Sequence, residues 1–148
     1  LTDLRYGKPE PVGRIVAVYT SFDVDASFCQ IYDDSGIEIQ SRFRNGTVIP
    51  PMSIEPQKNG PVRIKLSSGV ITRESVTVSY RVGDKSYMIS DCGEATYEAN
   101  DGNSGYLAYL DYGDHKIYGI HVGYNKSIRR SYFCKVENIN AAFGLSMY

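Results

Sequence analysis

The chain has 148 residues, of which 42% are hydrophobic and 22% are charged, so it is long enough for one domain or for two small barrels that pack as one unit. Its net charge of −1 gives no general attraction to nucleic acid, and no apolar run approaches the roughly 18 residues that span a membrane. Three cysteines, Cys29, Cys92 and Cys134, are odd in number and form no metal-type pair, which favours a reducing compartment.

The first third of the chain predicts a few short strands. Residues 1–12 are polar and contain prolines, and we expect a loop or an extended lead-in there. Apolar runs predict strands at residues 13–20 and 25–32, and the sequence Asp-Asp-Ser-Gly at 33–36 predicts a turn. A third short strand is expected at residues 43–49, where two prolines follow and end it.

Strand signals come at closer spacing after the polar residues 55–61, which we interpret as a linker. Thirteen tyrosines, fourteen glycines and frequent valine and isoleucine favour strands over helices. Turns are predicted at residues 67–69 and 83–84, and only residues 137–143 have a helical pattern. The strands expected after the linker lie at residues 62–66, 70–72, 76–82, 85–90, 106–112, 116–123 and 131–136. We therefore predict an all-β architecture, with one unit over residues 1–54 and a second over residues 62–148.

The Gly-Asn-Ser-Gly segment at residues 102–105 is the first candidate for chemistry. Glycines on both sides of Ser104 free the backbone and remove side chains that would block an approaching substrate. Such a loop can aim successive backbone N–H groups at one point, which is how an oxyanion is stabilised in acyl transfer. The alternative is an ordinary turn, because small polar residues commonly connect strands.

Three segments together resemble a known family. They are Gly102–Gly105, the Tyr-Gly-Ile-His-Val-Gly strand at residues 118–123, with His121 seventeen residues after Ser104, and Arg-Ser-Tyr-Phe at 130–133. This combination resembles the C-terminal barrel of the picornaviral 3C-like proteases, which are chymotrypsin-fold enzymes with a Gly-x-Cys-Gly nucleophile loop. Serine at position 104 departs from the family's usual cysteine. It is either the natural nucleophile or a replacement for a cysteine.

The resemblance implies a role for each residue of the loop and of a nearby pocket. Ser104 corresponds to the nucleophile, and the backbone of Gly102, Asn103 and Ser104 corresponds to the oxyanion hole. His121 corresponds to the histidine at the bottom of the specificity pocket, where a neutral imidazole donates one hydrogen bond to a glutamine side chain. The alternative for His121 is a core histidine.

Three further residues complete the implied pocket. Tyr97 corresponds to the tyrosine that fixes the histidine tautomer, and Thr96 to the pocket threonine, both at shifted spacing. Gly123 ends the histidine strand and belongs to the same substrate-binding set.

The order of residues raises a question about the general base. Asp25 opens a segment, residues 24–31, that resembles the family's acid-then-apolar strand, and Asp23 is the second candidate for the acid. In the chymotrypsin order, the base precedes the nucleophile, but both histidines, His115 and His121, follow Ser104. Either the base lies before Leu1, so that the N-terminal barrel is incomplete in this chain, or the protein lacks a base.

The resulting expectation is a chymotrypsin-like double β-barrel that acts as an endopeptidase on a viral polyprotein in the host cell cytoplasm. We expect cleavage after glutamine, or alternatively glutamate, with no metal and no cofactor. The main rival is a catalytically inactive barrel that binds a peptide or viral RNA. A second rival is a cellular trypsin-type serine protease, against which the histidine strand and the odd cysteines argue.

Overall fold

The computed structural model describes residues 2–5, 8–38, 40–43 and 45–145. Within these residues lie ten strands and one α-helix, which confirms the all-β prediction. The strands are β1 (Thr2–Arg5), β2 (Lys8–Pro11), β3 (Gly13–Thr20), β4 (Asp25–Ile31), β5 (Pro61–Ile64), β6 (Ser67–Val82), β7 (Lys85–Ala95), β8 (Leu107–Tyr109), β9 (Ile117–Asn125) and β10 (Arg130–Lys135), and the helix is α1 (Val136–Phe143).

The last six strands form a closed antiparallel barrel in the order β10-β7-β6-β5-β8-β9. Closure gives each strand a neighbour on both sides, although residues 76–82 of β6 and 85–92 of β7 pair only with each other and extend beyond the closed part. The barrel interior is filled by buried side chains, among them Ile64, Ile71, Tyr97 and Phe133. This rigid barrel carries both the Ser104 loop and the His121 strand.

The N-terminal part is an open structure. Strands β1 and β2 form one two-stranded sheet and β3 and β4 form another, and neither joins the barrel. Strand β3 buries little, since Ile15 is 56% exposed and Val18 is 66% exposed. The described residues therefore contain one complete barrel and an incomplete N-terminal one, as the sequence predicts.

The β3–β4 hairpin nevertheless packs against the barrel. Val24 is fully buried in a cluster with Ile89 and Cys134 of the barrel. Tyr19 and the ring of Phe143 in α1 lie 6.0 Å apart between centroids, in an edge-on arrangement. These contacts fix the start of β4, and therefore Asp25, relative to the barrel.

Two local predictions are wrong. The described residues 43 and 45–49 lie in a tight loop rather than a strand, since the Phe43 N–H donates to the Thr47 carbonyl at 2.8 Å and Asn45-Gly46 makes the bend. The turn expected at residues 67–69 lies earlier, at Lys65 and Leu66, where Lys65 has φ +43°.

Gly69 instead lies within β6. A Cβ at this position would overlap the backbone nitrogen of Tyr97, so the glycine allows two backbones to approach closely.

The boundaries of the predicted units stay a prediction. Ile49 packs against the barrel residues Tyr109 and Ile117, and the Ile54 N–H donates to the Ile117 carbonyl at 3.0 Å. No helix in the described part of the chain is long and apolar enough to cross a membrane.

Candidate functional site

The Ser104 loop is held by its own hydrogen bonds. The Asn103 N–H donates to the Asn100 carbonyl at 3.1 Å, and the Asn103 side-chain oxygen accepts from the Asn100 N–H at 2.9 Å. Gly102 and Gly105 both have φ +88°, a conformation that favours glycine. This bend leaves Ser104 exposed, and its hydroxyl has no hydrogen-bond partner among the described residues.

The backbone N–H groups of the loop divide into two sets. Those of Asn103 and Gly105 already donate hydrogen bonds within the protein. The Asn103 N–H donates to the Asn100 carbonyl, and the Gly105 N–H donates to the His121 carbonyl at 2.9 Å. Those of Gly102 and Ser104 donate to no acceptor in the part of the chain that the structure describes. These two N–H groups are therefore free to bind an anion or a carbonyl oxygen.

His121 lies in the middle of β9 and is only 2% exposed. Its Nδ1 atom lies 3.0 Å from the hydroxyl oxygen of the fully buried Tyr97. The Tyr97 hydroxyl has no other acceptor among the described residues, so its hydrogen belongs on this bond, because buried donors are almost always paired. The imidazole then carries its own hydrogen on Nε2.

The electrostatics of this pair keep it neutral. Burial lowers the pKa of His121 to about 4, because a charged imidazole would lose its hydration. Burial also raises the pKa of Tyr97 above its usual range, so its hydroxyl stays protonated. At neutral pH His121 is therefore a fixed hydrogen-bond donor and a poor proton acceptor.

The loop and the histidine strand meet in a small cavity of about 120 Å³. Its walls include Ser104, His121, Gly123 and Tyr124. The structure thus brings Ser104, His121, Tyr97 and Gly123 together at one place. Their functional roles stay predictions.

Thr96 is not among the described residues that form this cavity. Its hydroxyl oxygen accepts a hydrogen bond from the Val70 N–H at 2.9 Å and so joins β6 to the end of β7. The structure therefore does not bring Thr96 to the pocket with His121.

A larger cleft of about 840 Å³ lies between the β3–β4 hairpin and the barrel. Asp25, Tyr80, Ser104 and His121 all contribute to its walls. Asp23 lies outside this group, and its carboxylate accepts a hydrogen bond from the Ser21 hydroxyl at 3.1 Å. Of the two candidate acids, Asp25 is the one that shares a cleft with Ser104.

Tyr80 is a residue of this cleft that sequence reasoning missed. Its hydroxyl donates to Asp25 Oδ2 at 3.0 Å and so joins β6 to β4. Burial and this hydrogen bond raise the pKa of Tyr80 to about 12, so the hydroxyl stays a donor. No sequence signal identifies it, because Tyr80 is one of thirteen tyrosines and its partner lies 55 residues away.

The described residues contain no group of three or more histidine, cysteine, aspartate or glutamate side chains that could hold a metal ion. All three cysteines are free thiols, and Cys92 and Cys134 are buried in the barrel. A hydrogen bond to Cys134, together with burial, raises the pKa of the Cys92 thiol well above its usual range.

No protein-family model matches the chain, and no curated protein matches it. A solved glutamic-acid-specific serine protease, described as using a histidine triad in substrate binding, has a TM-score of 0.70 and 20% identity, over 96% of this chain and 75% of that one.

Two bacterial proteases are similar to the same degree. Thermobifida fusca protease A has a TM-score of 0.69 and 16% identity, over 91% of this chain and 73% of that one. Cellulomonas bogoriensis chymotrypsin has a TM-score of 0.70 and 18% identity, over 92% of this chain and 75% of that one. The chain therefore has the double β-barrel fold of the chymotrypsin-like proteases, with a complete C-terminal barrel and an incomplete N-terminal one.

Proposed function

We propose that this protein is an endopeptidase that cleaves peptides after glutamine, or alternatively glutamate, by acyl transfer through Ser104. The observation that carries the proposal is the shared pocket, in which an exposed hydroxyl, two free N–H groups and a neutral buried histidine lie together. The proposed substrate is a viral polyprotein, and the proposed location is the host cell cytoplasm. Both rest on the resemblance to the 3C-like proteases.

The pocket suits a side chain that ends in an uncharged carbonyl group. The Nε2–H of His121 donates to the side-chain oxygen of glutamine, while Tyr97 fixes the ring from behind. An apolar side chain in the same place would leave the imidazole N–H buried and unpaired, which costs about 1–3 kcal/mol. The pocket therefore selects for hydrogen-bonding side chains.

The reaction follows from the position of Ser104 beside this pocket. Its oxygen forms a bond to the scissile carbonyl carbon as a base accepts its proton, and the N–H groups of Gly102 and Ser104 hold the resulting oxyanion. The C–N bond then breaks, and the protonated base gives its proton to the leaving amine. Water hydrolyses the acyl-serine ester by the reverse proton transfers.

The proposal requires an imidazole between Asp25 and Ser104. No histidine occurs at residues 1–103, and His121 is committed to the pocket. His115 Nδ1 lies 3.0 Å from the Leu110 carbonyl oxygen, and His115 is not among the described residues that line the cleft with Asp25 and Ser104. Asp25 Oδ2 is occupied by Tyr80, so its Oδ1 is the atom that would orient such an imidazole. The base would have to come from outside the 148 residues.

A second candidate function is a catalytically inactive barrel that binds glutamine-containing peptides in the same groove, and the observation in its favour is that residues 1–103 contain no histidine. RNA is a weaker candidate ligand, since a net charge of −1 adds nothing to its support.

Adding free imidazole to the protein separates these candidates. We expect slow hydrolysis after glutamine in a test peptide, which depends on imidazole and is lost in Ser104→Ala and in Asp25→Asn. His121→Ala should weaken peptide binding, although this variant keeps the Ser104 hydroxyl. Tight peptide binding with no cleavage at any imidazole concentration would support the binding module. If the peptide is neither bound nor cleaved, both candidate functions are overturned.

A further inference from the structure

We infer that the pair Lys126 and Asp101, at the mouth of the His121 pocket, determines whether glutamine or glutamate is preferred before the cleaved bond. This inference rests on the proposed function and names two specificity-determining residues that the sequence motifs do not include.

The two side chains come from different segments that line the pocket. Asp101 belongs to the Ser104 loop, and Lys126 follows the end of β9. Lys126 Nζ lies 3.9 Å from Asp101 Oδ2, with the side chains 71% and 100% exposed. The pair therefore lies at the solvent-exposed edge of the pocket.

These two residues carry the only formal charges among the described residues that form the pocket at neutral pH. The others are Ala99, Asn100, Gly102, Ser104, His121, Gly123 and Tyr124. His121 is neutral because it is buried. The pocket mouth therefore has one positive and one negative charge, and the pocket as a whole has no net charge.

A neutral pocket treats the two side chains differently. Glutamine gives up a neutral amide's hydration and gains the His121 hydrogen bond. Glutamate gives up the hydration of a charge, which costs more and needs a cation in return. Asp101 partly neutralises Lys126, the one cation among the described residues that line the pocket, so the intact pair favours glutamine.

Breaking the pair from either side should move this preference in opposite directions. Without the Asp101 charge, Lys126 is left to attract a carboxylate, and the affinity ratio shifts towards glutamate. Without the Lys126 charge, Asp101 repels the carboxylate, and the ratio shifts towards glutamine. Because both side chains are exposed and screened by solvent, each shift should be small, about 1.5- to 5-fold.

The experiment measures the binding of two peptides that differ only in glutamine or glutamate before the scissile bond. All proteins carry Ser104→Ala, which prevents turnover, and the dissociation constants are measured by titration at pH 7 and low salt. The variants are Asp101→Asn and Lys126→Gln. Asp114→Asn is the matched control, because Asp114 is also an exposed aspartate paired with a lysine, Lys116 at 3.1 Å, and lies outside the pocket.

The inference predicts opposite shifts for the two pocket variants, no shift for Asp114→Asn, and smaller shifts at high salt. Equal shifts in Asp101→Asn and Asp114→Asn would overturn it, because net charge alone would then explain the result. Binding of both peptides at an unchanged ratio overturns this inference and leaves the proposed function standing. Failure of both peptides to bind overturns the proposed function and this inference with it.

Discussion

At the scale of single residues, the surroundings decide what the imidazole of His121 can do. In water a histidine titrates near neutral pH and serves as a base. Behind the Tyr97 hydroxyl and only 2% exposed, His121 stays uncharged and keeps one N–H pointing away from Tyr97. The same burial that removes it as a base keeps it a neutral hydrogen-bond donor.

This burial predicts a pH dependence of stability. The pKa of His121 is about 4 in the folded protein against 6.5 for a free histidine, so between these values only the unfolded state binds the proton. The contribution of His121 to the free energy of unfolding should therefore be fully present above pH 6.5. It should be lost as the pH drops towards 4, which lowers the free energy of unfolding by about 3 kcal/mol. Urea unfolding across this range should give a flatter profile for His121→Gln than for the wild type. Parallel profiles would contradict the assigned burial.

The motif of the site was predictable from the sequence, and its supporting residues were only partly so. Ser104 and His121 lie within short glycine-flanked segments, and the spacing between them is a local signal. Tyr97 was found through the family resemblance. Thr96 was predicted in the same way, but its hydroxyl oxygen accepts a hydrogen bond from the Val70 N–H of β6 instead of lining the pocket. Tyr80 was missed because its contact with Asp25 depends on how the hairpin packs on the barrel.

At the scale of elements, strand β9 is both a core strand and a pocket wall, and its two glycines serve these roles separately. A Cβ at Gly119 would overlap the carbonyl oxygen of Cys134 on β10, so the glycine allows the two strands to pack. A Cβ at Gly123 would meet no atom within 4 Å and would extend into open space beside the pocket.

Alanine at these two positions should therefore have different consequences. Gly119→Ala should lower the free energy of unfolding by about 1–3 kcal/mol, because strand packing must shift. Gly123→Ala should change it by less than about 0.5 kcal/mol but weaken binding of a glutamine peptide, since the methyl group takes room in a cavity of about 120 Å³. Thermal unfolding and peptide titration of both variants check this. Equal loss of stability would refute the assignment of Gly123 to a pocket wall.

The boundaries of the barrel strands were harder to predict from the sequence than the existence of the strands. Alternating patterns located most strands, but β6 is one 16-residue strand where the sequence predicted a turn and two shorter pieces. Gly69 suggested that turn, while its real role is close contact with Tyr97, a residue 28 positions away. Glycines required by tertiary contact and glycines required by turns look the same in a sequence.

At the scale of the whole molecule, the candidate site includes residues of both the barrel and the β3–β4 hairpin, and the hairpin is held by fewer contacts than the barrel strands. The barrel is closed, whereas the β3–β4 hairpin has open edges and exposed apolar side chains. The hairpin supplies Asp25, and the barrel supplies Ser104 and Tyr80. The position of Asp25, the proposed acid, relative to Ser104, the proposed nucleophile, therefore depends on the few contacts that fix the hairpin. Among these contacts, the Tyr80–Asp25 hydrogen bond lies within the cleft itself.

Tyr80→Phe tests this dependence, because it removes the hydroxyl and keeps the ring. A hydrogen bond of this kind contributes about 1 kcal/mol, so amide hydrogens of β3 and β4 should exchange about fivefold faster, while those of β8 to β10 keep their wild-type rates. Tyr87→Phe is the control, since the Tyr87 ring stacks on Tyr80 at 5.4 Å but does not bond Asp25. Equal acceleration throughout the barrel would mean that hairpin and barrel open together as one unit, and unchanged exchange in β3 and β4 would mean that the bond does not fix Asp25.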